Sequence, residues 1–334
     1  MKSKYEQKTQ KFIEEVEAKG GKPIYTLSPL EARKVLEDLQ AKGEKLPVKI
    51  EDKEWTVGKT KVSVRIIRPE NSTDVLPVIL YYHGGGWILG SKNTHDRLVR
   101  EIAVGTKAAV VFVNYTPSPE AKYPVPLEEG YAALIYVAEH ARELNVDAAR
   151  IAIIGDSAGG NMAAAVTLLA KERKGPKIVQ QILFYPVTDS DLNTESYKEF
   201  AEGPWLTKAA MEWFWNAYAP DASSRNDHLV SPLRSTIEQL KGLPKALVIT
   251  DENDVLRSEG EAYAHKLMEA GVEVEAVRYL GTIHDFVMLS PLANTPATRS
   301  AIALAIATLN KAFKKETETL GIREKLSTEE FARR

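Results

Sequence analysis

The chain of 334 residues contains no cysteine. Disulfides, thiolate metal sites and a cysteine nucleophile are therefore excluded. It also lacks a surplus of charge of either sign: 44 Lys and Arg stand against 46 Asp and Glu, a formal net charge of −2. No global field draws in nucleic acid or an anionic membrane. No apolar run is long enough to span a bilayer. The N-terminus, Met1-Lys2-Ser3-Lys4-Tyr5-Glu6, has no apolar core of the kind a secretory signal carries. Internal repeats and low-complexity segments are missing too. Together these absences predict a cytoplasmic protein with neither a nucleic-acid nor a membrane partner. What is present, 44% hydrophobic and 27% charged residues, suits a large buried core. Such a length fits one big α/β domain, with or without an inserted lid.

Periodicity supplies the element order. Residues 5 to 20 are polar and helix-prone, with Phe12, Ile13 and Val16 on one side. Ser28-Pro29-Leu30-Glu31 reads as a capping box with Pro at the first helical position, which opens a second helix. Strands are predicted at Val48 to Val57, Val62 to Arg68, Val78 to Tyr82, Ala109 to Tyr115, from Ile151, at Ile178 to Tyr185, Ala246 to Thr250 and Val272 to Tyr279. Helices are predicted at about Leu127 to Glu143, Ala158 to Lys171, 258–270 and 297–313. Strands alternating with helical stretches make βαβ units and a mostly parallel sheet, an α/β fold. Residues 188 to about 240 break that rhythm. They hold Trp205, Trp213, Phe214, Trp215 and Tyr218 and no strand pattern. They read as an insertion packed over the carboxyl edge of the sheet.

Two motifs carry chemistry. Gly155-Asp156-Ser157-Ala158-Gly159 follows the β-branched run Ile151-Ala152-Ile153-Ile154 and opens a helical stretch. A serine on such a strand-to-helix turn has its hydroxyl lifted clear of the sheet. Glycines on either side let the backbone close up, and the helix N-terminus favours a developing oxyanion. The second motif, His83-Gly84-Gly85-Gly86-Trp87, follows the strand ending at Tyr82. Three consecutive glycines are costly in backbone entropy, so they mark close approach. With a serine elbow downstream, they read as an oxyanion hole built from the N–H groups of Gly84, Gly85 and Ala158. His83 reads as a loop-shaping hydrogen bonder.

A serine hydroxyl needs a base. His284, on a loop just beyond the strand ending near Tyr279, stands where a base belongs. His95, His140, His228 and His265 read as ordinary surface histidines. The acid is one of Asp251, Glu252 and Asp254, which follow the strand Ala246 to Thr250. Asp285 follows the base directly and reads as poorly placed to reach the same imidazole. Asp156 reads as a support for the elbow.

At this point the chain resembles the hormone-sensitive-lipase-like branch of the α/β-hydrolases, mostly carboxylesterases. The resemblance rests on His83-Gly84-Gly85-Gly86-Trp87, on Pro119-Glu120 with Tyr123-Pro124, on Gly155 to Asn161, on Asp254-Val255-Leu256-Arg257 and on His284-Asp285-Phe286, and it covers about residues 75–310. It implies an eight-stranded sheet flanked by helices, with a helical cap. The implied division is 1–45 and 188–240 for the cap, 46–187 and 241–334 for the core. It picks Asp254 as the acid, with Asp251 as runner-up, and it implies no cofactor and no metal. The implied reaction is hydrolysis of small-molecule esters of short to medium acyl length through an acyl-enzyme. Trp87, Trp205 and Phe214 are the expected pocket walls. A monomer or a homodimer paired along the Val272 to Tyr279 edge is compatible. Activity should rise as His284 loses its proton, near pH ~6.5 unless shifted. An amidase or peptidase using the same serine, or a receptor of the same fold without turnover, are the alternatives. One departure stands out. Relatives often carry Tyr-Arg-Leu-Ala-Pro-Glu where this chain has Tyr115-Thr116-Pro117-Ser118-Pro119-Glu120, so an arginine contact is lost.

Overall fold

A computed structural model describes residues 5–314. The outer ends of the predicted first and last segments, 1–4 and 315–334, lie outside the described residues. Two helices come first, α1 (Gln7–Lys19) and α2 (Pro29–Gln40). The capping box read at the start of α2 is formed: the Ser28 side chain accepts the Glu31 N–H, and the Glu31 carboxylate accepts the Ser28 N–H at 2.9 Å. The sheet begins with the hairpin β1 (Val48–Val57) and β2 (Thr60–Pro69) and continues through β3 (Leu76–Tyr82). Next come α3 (Asp96–Thr106), β4 (Ala109–Asn114), α4 (Val125–Glu139), β5 (Val146–Asp156), α5 (Ala158–Glu172) and β6 (Gln180–Phe184).

Residues 188–240 then form α6 (Glu195–Glu199), α7 (Lys208–Tyr218) and α8 (Ile237–Leu240), with no strand. The chain returns to the sheet with β7 (Lys245–Asn253), α9 (Arg257–Glu269), β8 (Val274–Ile283) and α10 (Pro296–Ala312).

The eight strands lie in the order β1-β2-β4-β3-β5-β6-β7-β8. Only β2 runs against the others, pairing antiparallel with β1 and β4. From β4 to β8 every pairing is parallel. Parallel strands need both faces covered. Every residue of β3 is accordingly buried, and its sequence, Leu-Pro-Val-Ile-Leu-Tyr-Tyr, is apolar without alternation. α3 and α10 pack on one another over one face. α4 and α5 pack together over the other, with α9 alongside.

Helix α3 has no counterpart among the elements expected from the sequence. Its first turns carry Asp96, Arg97, Arg100 and Glu101, which look like a solvated stretch. In the structure Asp96 and Arg97 are buried. Arg97 donates to Glu101 at 2.9 Å and to the carbonyls of Val287 and Met288, and Arg100 donates to Asp96 at 2.8 Å. The charges are buried because they are paired, which a one-dimensional pattern does not show.

Candidate active site

The sheet brings the chemistry to one rim. β5 ends at Asp156, and Ser157 follows at φ 54°, ψ −121° as the residue before α5. A side chain rarely adopts that backbone conformation, which costs ~1–3 kcal/mol wherever it is held. The glycines around it make the turn possible. A Cβ on Gly155 would meet the Gly159 carbonyl oxygen at 2.0 Å, and one on Gly159 would meet the Tyr82 carbonyl oxygen at 2.0 Å. Ser157 N–H donates to Phe184 O at 2.9 Å, tying the elbow to β6.

β7 and β8 deliver the other two groups to the same rim. Asp254 follows β7 and His284 follows β8. Ser157 Oγ lies 2.9 Å from His284 Nε2, and His284 Nδ1 lies 2.7 Å from Asp254 Oδ2. Asp254 Oδ1 accepts the Leu256 N–H at 3.0 Å, which fixes the carboxylate. All three side chains are buried. Burial opposes a charge on the imidazole, but the Asp254 and Asp285 carboxylates outweigh it and push His284 up to about 9. Three residues far apart in the chain thus form one hydrogen-bonded line from carboxylate to hydroxyl. Such a line can take the hydroxyl proton as the oxygen attacks.

The amide donors differ from the expected set. Gly84 N–H donates to Asp156 Oδ1 at 3.1 Å, so it is not available to a substrate oxygen. The free amides are those of Gly85, Gly86 and Ala158, which have no acceptor among the described residues. Gly86, at φ 60°, leaves no room for a side chain: a Cβ there would sit 2.1 Å from the Phe214 ring. Of the three amides expected from the sequence, that of Gly84 is engaged and those of Gly85 and Ala158 are free, and Gly86 offers a further free amide. The deciding partner, Asp156, lies 72 residues downstream of Gly84.

Asp156 does support the elbow, with more partners than the sequence suggested. Its carboxylate accepts the Tyr81 hydroxyl at 2.7 Å as well as Gly84 N–H, and it faces His95 Nε2 at 3.0 Å. Burial alone would raise its pKa. The His95, Tyr81 and His83 contacts reverse that and hold it below the usual carboxylate value. His95 is thus not a surface histidine; it is fully buried against Asp156. His83 stacks on Tyr115 with centroids 4.2 Å apart, and its Nδ1 lies 2.9 Å from Gly84 O within the glycine loop.

Asp285 also corrects the reading. Its Oδ1 lies 3.5 Å from His284 Nε2, within reach of the imidazole, on the side away from Asp254. Its other oxygen accepts Trp205 Nε1–H at 3.0 Å. Of the expected pocket walls, Trp87 does not line open space. It is 0% exposed, stacked on Tyr218 at 4.3 Å and packed against Trp215. Phe214 is buried against Gly86, and Trp205 is half-buried beside Asp285 and Phe12. The missing loop arginine has a counterpart from another element. Arg33 of α2 forms two 2.7 Å bonds to Glu120 and also donates to Ser118 O and Ile88 O. Among the described residues, Asp251, Asp254 and His284 form the one cluster with metal-ligand character. Two of the three are already bonded to each other.

A model for the α/β-hydrolase fold matches residues 79–288. The chain belongs to the α/β-hydrolase fold family. This hydrolase is 47% identical to a thermostable esterase from Pseudomonas putida of known structure, over 93% of this chain and 98% of that one, with a TM-score of 0.92. It is 40% identical over 287 residues to the carboxylesterase NlhH of Mycobacterium tuberculosis, covering 84% of this chain and 88% of that protein. An esterase structure from Rhizomucor miehei is 40% identical, with a TM-score of 0.89 over 94% of this chain. These likenesses bear out the resemblance to the hormone-sensitive-lipase-like carboxylesterases. The hydrolase is a serine ester hydrolase acting on small-molecule esters. No helix among its described residues is long and apolar enough to cross a membrane.

Proposed function

We propose that Ser157 is the nucleophile of this esterase, His284 its base and Asp254 the acid that orients His284. The carrying observation is the hydrogen-bonded line from Asp254 through His284 to Ser157, at 2.7 and 2.9 Å. Ser157 attacks the ester carbonyl while His284 takes its proton. The amides of Gly85, Gly86 and Ala158 receive the oxyanion, and His284 returns the proton to the leaving alcohol. Water, activated in the same way, then releases the acid from the acyl-enzyme.

The preferred substrates are esters of short to medium acyl length. The buried Phe214 ring supports this, because it is packed directly against Gly86 and crowds the space next to the free amides. Residues 1–45 and 188–240 act together as a cap. That reading is supported by Trp205, which touches Phe12 of α1 on one side and Asp285 on the other.

A fluorophosphonate, followed by peptide mapping, tests the roles directly. Modification at Ser157 is expected, and Ser157→Ala should remove both labelling and turnover while leaving the fold intact. Near-normal hydrolysis by that variant would refute the assignment. A panel of p-nitrophenyl esters tests acyl length, and a maximum confined to long chains would overturn it. A matching anilide reads out amide cleavage; turnover comparable to the ester would move the enzyme to the amidase reading.

A further inference from the structure

A second aspartate stands behind the imidazole. β7 carries Asp251 into register with Tyr279 of β8, at the rim where Asp254 and His284 meet. Asp251 is 0% exposed, and neither of its carboxyl oxygens has a hydrogen-bond partner among the described residues. One of those oxygens lies within 4.8 Å of both an Asp254 carboxylate oxygen and a His284 ring nitrogen. The titratable groups facing it are Asp254, His284 and Asp285, together with Tyr185, whose hydroxyl is also unpartnered. Native structures rarely leave a buried carboxyl without partners, and a buried one left so calls for a reason.

Two neighbouring carboxyls in one dry site do not both ionise. Geometry decides which of them holds the charge here. Asp254 has the imidazole nitrogen at 2.7 Å and the Leu256 amide at 3.0 Å; Asp251 has neither. Burial first, and then the charge on Asp254, push the Asp251 carboxyl well above the usual range. Asp251 is therefore the carboxyl of the two that keeps its proton.

We propose that Asp251 is a second positioning carboxyl for His284, protonated while Asp254 is charged and able to take over its role when Asp254 is neutral. In that second state Asp251 releases its proton to solvent and faces the imidazole as a carboxylate. The charge that stabilises the imidazolium is then conserved, although its geometry is poorer. This rests on the proposed roles of Ser157, His284 and Asp254.

The test is a double-substitution cycle on Asp254→Asn and Asp251→Asn, reading kcat/KM against pH on one p-nitrophenyl ester. Loss of the acid's charge in a serine triad typically costs ~10⁴-fold. Here Asp254→Asn alone is expected to cost only ~10²-fold, and adding Asp251→Asn a further ~10²-fold. Removing Asp251 in the Asp254→Asn background should also move the acid limb of the profile down by about one pH unit, since His284 then keeps only the Asp285 carboxylate beside it. A structural role would lower the melting temperature and leave that limb in place. Equal activity of the single and double variants, with an unmoved limb, would overturn the proposal. Should Asp251→Asn fail to fold, Asp254→Asn still decides: a ~10⁴-fold loss there is the overturning result. Failure of the wild-type enzyme to be labelled at Ser157 would instead remove the underlying reading.

Discussion

At the scale of single residues, the site is tuned by carboxylates on both sides of one imidazole. Asp254 binds Nδ1, and Asp285 sits 3.5 Å from Nε2. Burial works against protonation of His284, yet these two charges raise it to about 9. A base must be neutral to act, so activity has to grow as the proton leaves. We predict that kcat/KM rises through neutral pH, reaches half its plateau near pH 9 and levels off only above it. Asp285→Asn, which removes one of the charges, should move that limb to lower pH. A limb that stays in place in the variant would show that Asp285 does not act on the base. Gly86 invites a second test. A methyl there would run into the Phe214 ring, so Gly86→Ala must displace either the ring or the amide. Losing one oxyanion donor costs ~10²–10³-fold in kcat, and a fall of that size with little change in KM is the expected outcome. Unchanged kcat would exclude the Gly86 amide as a donor.

At the scale of elements, ends and spacings were legible where the cause is local. The Ser28-x-x-Glu31 capping box and the bounds of β1 appear in the structure as read from the sequence. Where the cause is remote, reading failed. α3 was missed because Arg97 and Arg100 look solvent-facing until their partners are known. β8 runs on to Ile283 because Asn253 of β7 pairs there across an irregular register, a long-range match with no local signal. The site divides in the same way. Ser157 and His284 were marked by motif and order along the chain, whereas Asp254 was singled out from Asp251 and Glu252 only by the family resemblance. The engagement of the Gly84 amide and the burial of His95 both come from the buried carboxylate of Asp156, which the sequence does not place. A cap left unread offers a test at this scale. Thr207 Oγ1 accepts the Ala210 N–H at 3.1 Å and starts α7, the helix that presses Phe214 on Gly86. Thr207→Ala should cost about 1 kcal/mol of stability. Thermal melts should show the loss, and an unchanged melting temperature would mean α7 is held by its packing alone.

At the scale of the whole molecule, the question is whether residues 188–240 form a separable lid. The packing argues against it. Trp215, Tyr218, Met211 and Phe214 of α7 belong to the same continuous apolar core as the strands. Trp87, from the loop after β3, is sandwiched among them. Tyr123 N–H also donates to Tyr218 O at 2.9 Å, so α7 is tied to the loop before α4 by backbone as well as by rings. A lid that shares its core with the sheet cannot unfold first without exposing that core, whose burial is the main stabilising term. The tryptophans allow a direct reading. Four of the five, Trp87, Trp205, Trp213 and Trp215, lie in or against this segment, whereas Trp55 stacks on Tyr136 at the far side of the sheet. Tryptophan emission therefore reports the lid, and far-ultraviolet circular dichroism reports the whole fold. Urea unfolding curves from the two signals should coincide. An emission change that runs clearly ahead of the loss of helix and strand would mean that the lid opens as a unit of its own, and the shared core would not be what holds it over Ser157.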